Sequence, residues 1–146
     1  MVSLSNRADQ FYHKPRLDLN QLSSSASENL ISFSGHLGSL LADAVLDNPD
    51  WQKCGEQEAK RLEEMFGKGN FFIEIQLIDS EINKASKEVG EKLREISKIT
   101  GIPCVATPDA HYARREDAHD QRVLLCTAFR KSIGEIQEDI KAGRSQ

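Results

Sequence analysis

The chain has 146 residues, of which 38% are hydrophobic and 29% are charged, and its formal net charge is −4. That size suits one domain or part of one, and the acidic balance argues against a broad electrostatic surface for duplex DNA. No apolar run approaches the length of a membrane span, and the N-terminus lacks the charged-then-apolar order of a signal peptide. The three cysteines are odd in number and widely spaced, which fits reduced thiols better than disulfides or a zinc knuckle. We therefore expect a soluble, cytoplasmic protein without a membrane partner.

The first third of the chain predicts one strand and one helix after a polar start. Residues 1–10 are polar and unpatterned, so we expect a loose leader. Residues 29–34 are apolar and rich in strand formers and end at Gly35, which predicts the first strand. The next helix is predicted from apolar residues at i, i+3, i+4, i+7 and i+8, and it stops before Pro49. Those apolar residues are Leu37, Leu40, Leu41, Ala44 and Val45.

The middle of the chain predicts a long helix, the strongest strand and a second long helix. Asp50 is a candidate N-cap, and the helix behind it ends at the turn of residues 67–70. Residues 71–77 are aromatic and branched with little polarity, which predicts a strand. Residues 79–80 offer the next N-cap, and their helix ends at Gly101. Its predicted buried residues are Ile82, Ala85, Val89, Leu93 and Ile96.

Residues 102–107 predict a third strand, because Pro108 cannot donate to a sheet ladder and ends the apolar run. A helix is expected over residues 113–129 and a short helix over residues 135–141, with residues 143–146 frayed. The order of strand, helices, strand, helix, strand and helix is typical of an α/β domain. It predicts about three parallel strands with connecting helices.

Polar side chains follow each predicted strand, at the end where the chemistry of parallel α/β folds gathers. His36 follows the first strand, Gln76 and Asp79 follow the second, and Asp109 and His111 follow the third. Side chains two apart in an extended segment share a face, so Asp109 and His111 would present a carboxylate and an imidazole together. Such a pair suits a divalent metal such as zinc or manganese. The alternative is that Asp109 caps the next helix and His111 packs on Tyr112.

Several motifs occur in a fixed order. They are Phe-Tyr-His-Lys-Pro-Arg-Leu-Asp at 11–18, Asn-Leu-Ile-Ser-Phe-Ser-Gly-His-Leu-Gly at 29–38, Phe-Phe-Ile-Glu-Ile-Gln at 71–76, Val-Ala-Thr-Pro-Asp-Ala-His-Tyr at 105–112, Arg-Glu-Asp-Ala at 115–118 and Val-Leu-Leu-Cys at 123–126. Together they resemble the later half of the PHP (polymerase and histidinol phosphatase) domain of bacterial DNA polymerase III alpha subunits. The resemblance implies part of a distorted seven-stranded β/α barrel whose cleft can hold up to three divalent metals. It implies metal-dependent 3′–5′ proofreading hydrolysis in some members, and a scaffold and docking role in others.

The resemblance also implies roles for particular residues. His36 in the Ser-Gly-His-Leu-Gly motif, Asp109 and His111 would be ligands for zinc, manganese or iron. Glu74 and Gln76 match a family motif but receive no role, and no catalytic residue is assigned beyond the ligands. Separately from the resemblance, Arg114 and Arg115 are candidate phosphate contacts, with a solvated helix start as the alternative.

The family's first half, with its His-x-His strand, and the polymerase palm have no counterpart in the chain. We therefore expect residues 11–129 to form the C-terminal half of a PHP domain and residues 130–146 to form a short helix and tail. The predicted function is that of a fragment of a replicative DNA polymerase, weakly active or inactive by itself. Its expected partners are DNA through the parent polymerase, the missing first half, the polymerase core and other replisome subunits. The alternatives are a non-catalytic scaffold or docking segment and a PHP-type small-molecule phosphoesterase.

Overall fold

The computed structural model of this chain describes residues 2–8, 11–12, 14–26, 29–77 and 84–142. The chain divides into two compact units, Met1–Pro108 and Asp109–Gln146. The boundary between them falls inside the predicted 11–129 domain, whose limits stay a prediction. The N-cap and buried residue predicted at Asp79, Ser80 and Ile82, and the frayed residues 143–146, lie outside the described residues.

Local hydrogen bonds shape the N-terminal part of the first unit. Its elements are α1 (Val2–Ser5), β1 (Phe11–Tyr12), β2 (Lys14–Pro15) and α2 (Leu19–Ser25). Helix α1 lies within the segment predicted to be a loose leader, and Ser5 Oγ donates to the Val2 carbonyl oxygen at 3.0 Å. Strands β1 and β2 pair antiparallel. Helix α2 begins at a capping box in which Asp18 Oδ1 accepts from the Gln21 amide at 2.8 Å.

Three parallel strands form the main sheet, in the order β3 (Ser32–Phe33), β4 (Phe71–Gln76) and β5 (Cys104–Thr107). The prediction of three parallel strands with connecting helices is therefore confirmed. Strand β3 is shorter than the predicted residues 29–34. The Glu74 amide on β4 donates to Ser34 Oγ at 2.9 Å. This side-chain acceptor replaces the backbone carbonyl that would accept the bond if β3 continued.

Helices α3 (Leu40–Val45), α4 (Trp51–Phe66) and α5 (Lys84–Thr100) join the strands. Helix α3 begins later than its apolar pattern predicts, because Ser39 Oγ accepts from the Ala42 amide at 3.2 Å and makes Ser39 the N-cap. Helix α5 ends before Gly101, as predicted, and that glycine has a φ of +76°. Asp50 precedes α4 as predicted, but its side chain makes no capping hydrogen bond. Its backbone amide donates to Asn48 Oδ1 at 2.9 Å, so Asn48 is the side chain that orders this turn.

The hydrophobic core of the first unit comes from α3, α4, β4, α5 and the approach to β5. Its buried residues are Leu41, Ala42, Val45, Ala59, Leu62, Phe71, Ile73, Ile75, Val89, Leu93, Ile96 and Ile102. Alternate residues of β4 belong to this cluster, whereas Glu74 and Gln76 between and beyond them are only half-buried. The burial predicted for Val89, Leu93 and Ile96 is confirmed, and Ala85 is half-buried. One face of the sheet is thus packed on helices, and the polar residues of β4 lie on the other face.

The second unit consists of a 3-10 turn (Arg115–Asp117) and the helices α6 (Ala118–Phe129) and α7 (Ile133–Lys141). Helix α6 begins five residues after the predicted start at residue 113, because the 3-10 turn intervenes. Arg130 in the left-handed region ends α6. Among the described residues, no helix is long and apolar enough to cross a membrane.

Candidate functional site at the strand ends

Polar residues of the sheet meet on one face near the carboxyl ends of β4 and β5. Parallel register places Glu74 opposite Val105 and Gln76 opposite Thr107, so the side chains of these residues point to the same side. Thr107 Oγ1 donates to Glu74 Oε1 at 2.6 Å, which ties the two strands together through their side chains. Sequence reasoning left Glu74 without a role. Its contact with Thr107, 33 positions away, is visible only once the strands are paired.

A small cavity lies at the carboxyl end of β4, and His36 is one of its lining residues together with Gly35, Glu74, Gln76 and residues of α5 such as Val89. His36 follows β3 and is itself exposed. The loop that carries it turns sharply: Gly35 has a φ of +88°, and the Ser39 amide donates to the His36 carbonyl oxygen at 2.9 Å. The predicted position of His36 at a strand's carboxyl end is therefore confirmed.

The ring of His36 is held by the backbone of its own loop. The Gly38 amide donates to His36 Nδ1 at 3.0 Å. A backbone N–H can only donate, so Nδ1 is the unprotonated nitrogen, and a neutral ring then carries its proton on Nε2. Coordination of a metal through Nε2 requires the opposite tautomer, in which Nε2 has a free lone pair. As held in this loop, a neutral His36 ring is not in the form that coordinates a metal through Nε2.

His111 has the opposite arrangement. Its Nδ1 lies 2.8 Å from the Asp109 carbonyl oxygen. A carbonyl oxygen can only accept, so Nδ1 carries the proton and Nε2 keeps its lone pair. Metal-binding histidines commonly donate their other ring N–H to a backbone carbonyl in this way, which fixes both tautomer and orientation. The sequence identified no such partner for His111, because the partner is a backbone group and not a side chain.

Asp109 departs from the geometry that the sequence predicted. It has a φ of +51°, so the segment is not extended there, and the argument that Asp109 and His111 share a face of an extended strand was wrong. Asp109 does not cap the next helix either. The carboxylate that receives a backbone N–H at this turn is Asp117, whose Oδ2 accepts from the Arg114 amide at 3.0 Å. The left-handed turn at Asp109 instead brings its carbonyl oxygen to the His111 ring.

The two places differ in the donor atoms that they offer to a divalent metal. His111 and Asp109 are both exposed, and they offer an imidazole with a free Nε2 lone pair and a carboxylate, which zinc and manganese accept. His36 lies in the first compact unit, and its ring does not fit in the orientation that it has. Among the residues that the structure describes, no group of three or more His, Cys, Asp or Glu side chains is arranged to hold a metal ion.

The two candidate phosphate contacts are solvent-exposed. Arg115 begins the 3-10 turn, and Arg114 precedes it as the residue whose amide binds Asp117. Their role in phosphate binding stays a prediction.

The chain is similar to a known domain family and to subunits of known polymerases. A PHP domain model matches residues 1–77. DNA polymerase III subunit alpha of Treponema pallidum is 34% identical over 134 residues, covering 90% of this chain and 11% of that protein. The same subunit of Thermus aquaticus is 35% identical over 137 residues, covering 91% and 10%, and that of Borreliella burgdorferi is 33% identical over 127 residues, covering 84% and 10%. This chain thus spans about a tenth of the length of the relatives that it matches.

The family model and the alignments with relatives include different candidate ligands. The PHP model includes His36 but ends at residue 77, before Asp109 and His111. The Treponema and Thermus alignments leave only about a tenth of the chain outside. Each of the two histidines lies further than that from the nearer end of the chain. These alignments therefore include both His36 and His111.

Proposed function

This chain belongs to the PHP domain family, and from that we propose that it serves as part of the PHP domain of a bacterial DNA polymerase III alpha subunit. In the complete protein its three parallel strands would be part of a distorted β/α barrel, with α3, α4 and α5 on the outside. The support for this arrangement is that the helices pack on one face of the sheet while Glu74, Gln76 and Thr107 occupy the other. Expected partners are the first half of the PHP domain, the polymerase core, DNA held by the parent polymerase and other replisome subunits.

Within that domain, we propose that Asp109 and His111 bind a divalent metal. The observation that carries the proposal is the 2.8 Å hydrogen bond from His111 Nδ1 to the Asp109 carbonyl oxygen, because it leaves Nε2 free to coordinate. The Asp109 carboxylate, from the same turn, would supply negative charge and oxygen donors. The Nδ1 lone pair of His36 becomes free only after it gives up the Gly38 amide.

The reaction proposed for the complete domain is hydrolysis of a phosphodiester at a 3′ end of DNA. A bound zinc, manganese or iron ion would supply an activated water and neutralise charge on the phosphate. This chain's own contribution would be to hold the His111 ring in one orientation and to supply the Asp109 carboxylate from the same turn. Arg114 and Arg115 would add positive charge near the phosphate backbone.

Metal analysis of the purified chain tests the metal role directly. The chain is dialysed against Zn²⁺ or Mn²⁺, alone and mixed with a polypeptide that carries the first half of a PHP domain, and the retained metal is measured. We expect Asp109→Asn and His111→Gln to lower the affinity roughly tenfold or more. Asparagine tolerates the left-handed φ of Asp109, so the first variant removes charge without adding backbone strain.

The matched control is His119→Gln, which removes an exposed histidine of α6 that has no proposed role. If this variant loses as much metal as His111→Gln, the binding is that of any surface histidine and the proposed site is wrong. Cleavage of 3′-labelled DNA by the mixture decides between the two uses of the domain. Metal-dependent cleavage that Asp109→Asn abolishes supports hydrolysis, whereas bound metal without cleavage supports a scaffold or docking role.

A further inference from the structure

The tautomer of His36 is set by a glycine amide two residues further along the chain. Since the Gly38 N–H donates to Nδ1 at 3.0 Å, the neutral ring must carry its proton on Nε2. Both ring nitrogens are then committed, one to an accepted hydrogen bond and one to a proton. In this state His36 can donate from Nε2 to an acceptor oxygen but has no lone pair for a metal ion.

The loop is built to keep the ring there. A Cβ added to Gly38 would lie 3.1 Å from His36 Cε1 and 3.6 Å from Nδ1, so the imidazole rests directly against the glycine. The loop is anchored at its far end, because Ser39 caps α3 and two residues of the first turn of α3, Leu41 and Ala42, are buried. A Cβ at position 38 would require the ring to give way by a few tenths of an ångström from its place beside the amide.

We propose that Gly38 is a positioning residue that holds His36 as an Nε2–H donor and keeps it out of the metal-ligand set. The family resemblance implies that His36 is a metal ligand. The observation that disagrees with this role is the hydrogen bond from the Gly38 amide to His36 Nδ1. The part of this inference that concerns metal rests on the proposed function. The tautomer itself is a property of the metal-free chain.

Nuclear magnetic resonance of the histidine rings tests the proposal without an activity assay. The chain is labelled with ¹⁵N in histidine and studied at about pH 8, above the ordinary histidine pKa of about 6.5. Variants His36→Gln and His111→Gln assign the two rings by the loss of their signals. We expect His36 to be protonated on Nε2 and His111 to be protonated on Nδ1. A His36 ring protonated on Nδ1 would overturn the proposal, whatever the chain does with metals.

Addition of Zn²⁺ to the same sample tests whether His36 stays out of the metal-ligand set. We expect the Nε2 signal of His111 to shift while that of His36 stays in place, because only His111 has a free lone pair. Readout at individual rings separates these events from zinc bound by the cysteines. A shift of His36 at the zinc concentration that shifts His111 would contradict the proposal. If zinc moves neither ring, the proposed metal site fails, and the tautomer measured without metal still decides the role of Gly38.

A pair of glycine substitutions isolates the cause. Gly38→Ala should displace the ring and weaken its hydrogen bond to the amide, raise the Nδ1-protonated form of His36 and allow zinc to shift its Nε2 signal. Gly134→Ala is the control, since its added Cβ would meet nothing closer than Ser132 Oγ at 4.0 Å. If Gly38→Ala leaves the tautomer of His36 unchanged, Gly38 does not position the ring. Circular dichroism verifies that both variants are folded.

Discussion

Side chains in the two compact units are held by different means. In Met1–Pro108, a buried cluster joins three helices to the sheet, and polar contacts reach across long stretches of sequence, as from Lys92 to the Val45 carbonyl oxygen. Among the described residues of Asp109–Gln146, no side chain belongs to that cluster. Side-chain bonds there join near neighbours, such as Ser132 with Glu135.

The difference matters for the two candidate histidines. His36 sits on a loop whose end is anchored by buried residues of α3, and the Gly38 amide faces its Nδ1, which leaves the proton of a neutral ring on Nε2. His111 depends on a single local bond, from its Nδ1 to the Asp109 carbonyl oxygen, which leaves the Nε2 lone pair of a neutral ring free. The two histidines both follow parallel strands, and they differ in the backbone group that faces Nδ1.

The largest effect should come from truncating a buried side chain of the first unit. Ile96→Ala removes a fully buried side chain of the cluster and should lower the free energy of unfolding by about 2 to 5 kcal/mol. Leu124→Ala in α6, where the leucine is 65% exposed, should change it by less than about 0.5 kcal/mol. Urea denaturation followed by circular dichroism measures both. Equal losses would mean that the second unit is packed as firmly as the first.

A smaller effect is expected where α4 packs closely on α3 and α5. A Cβ on Gly55 would lie 2.7 Å from Val45 Cγ1 and 2.9 Å from Ile96 Cδ1, so Gly55→Ala should destabilise by roughly 1 to 3 kcal/mol. The matched control is Gly90→Ala in α5. Its added Cβ would meet Ile75 Cγ2 at 3.5 Å, an ordinary contact, and the helix should gain about 0.5 to 1 kcal/mol. Opposite signs in thermal unfolding confirm the close packing, and a stabilising Gly55→Ala would refute it.

Lysine substitutions compare the polar contacts of the two units. Lys92 Nζ donates to the Val45 carbonyl oxygen at 2.8 Å, pairs with Glu88 and lies 5.7 Å from the centroid of the Trp51 ring. Lys92→Met should therefore cost about 1 to 2 kcal/mol. Lys131→Met removes an ion pair with Asp139 from a half-exposed lysine and should cost less than about 0.5 kcal/mol. Denaturant midpoints test the order, and a larger loss at Lys131 would reverse it.

The smallest effect is a local pH dependence at the start of α7. The Ser132 amide and hydroxyl both donate to the Glu135 carboxylate, which lowers the pKa of Glu135 from its ordinary value. Because the folded pKa is the lower one, the stabilisation is present above the unfolded pKa and is lost as pH falls through the folded value. Hydrogen exchange of the α7 amides should therefore quicken in acid relative to the unfolded rate. Glu135→Gln should remove this pH dependence, and an unchanged profile in that variant would show that another group causes it.

Local signals in the sequence determined the elements that depend on near neighbours. The aromatic and branched run at residues 71–77 predicted β4, and Gly101 marked the end of α5. The alternation of these elements predicted the parallel sheet, and with it the place of His36 after a strand. Each of these inferences rests on a preference of the residue itself or on the period of the apolar pattern, and both can be read from the chain alone.

Tertiary structure decided the features that depend on which groups meet. Gly55 has no side chain to reveal its burial, and its importance comes from Val45 and Ile96 packing against it. The positive φ of Asp109 replaced the extended segment that its spacing from His111 predicted. The sequence could not predict which ring nitrogen of each histidine carries the proton. Nearly every residue near a histidine offers both a backbone amide and a backbone carbonyl. Only the conformation of each loop determines which of them faces the ring.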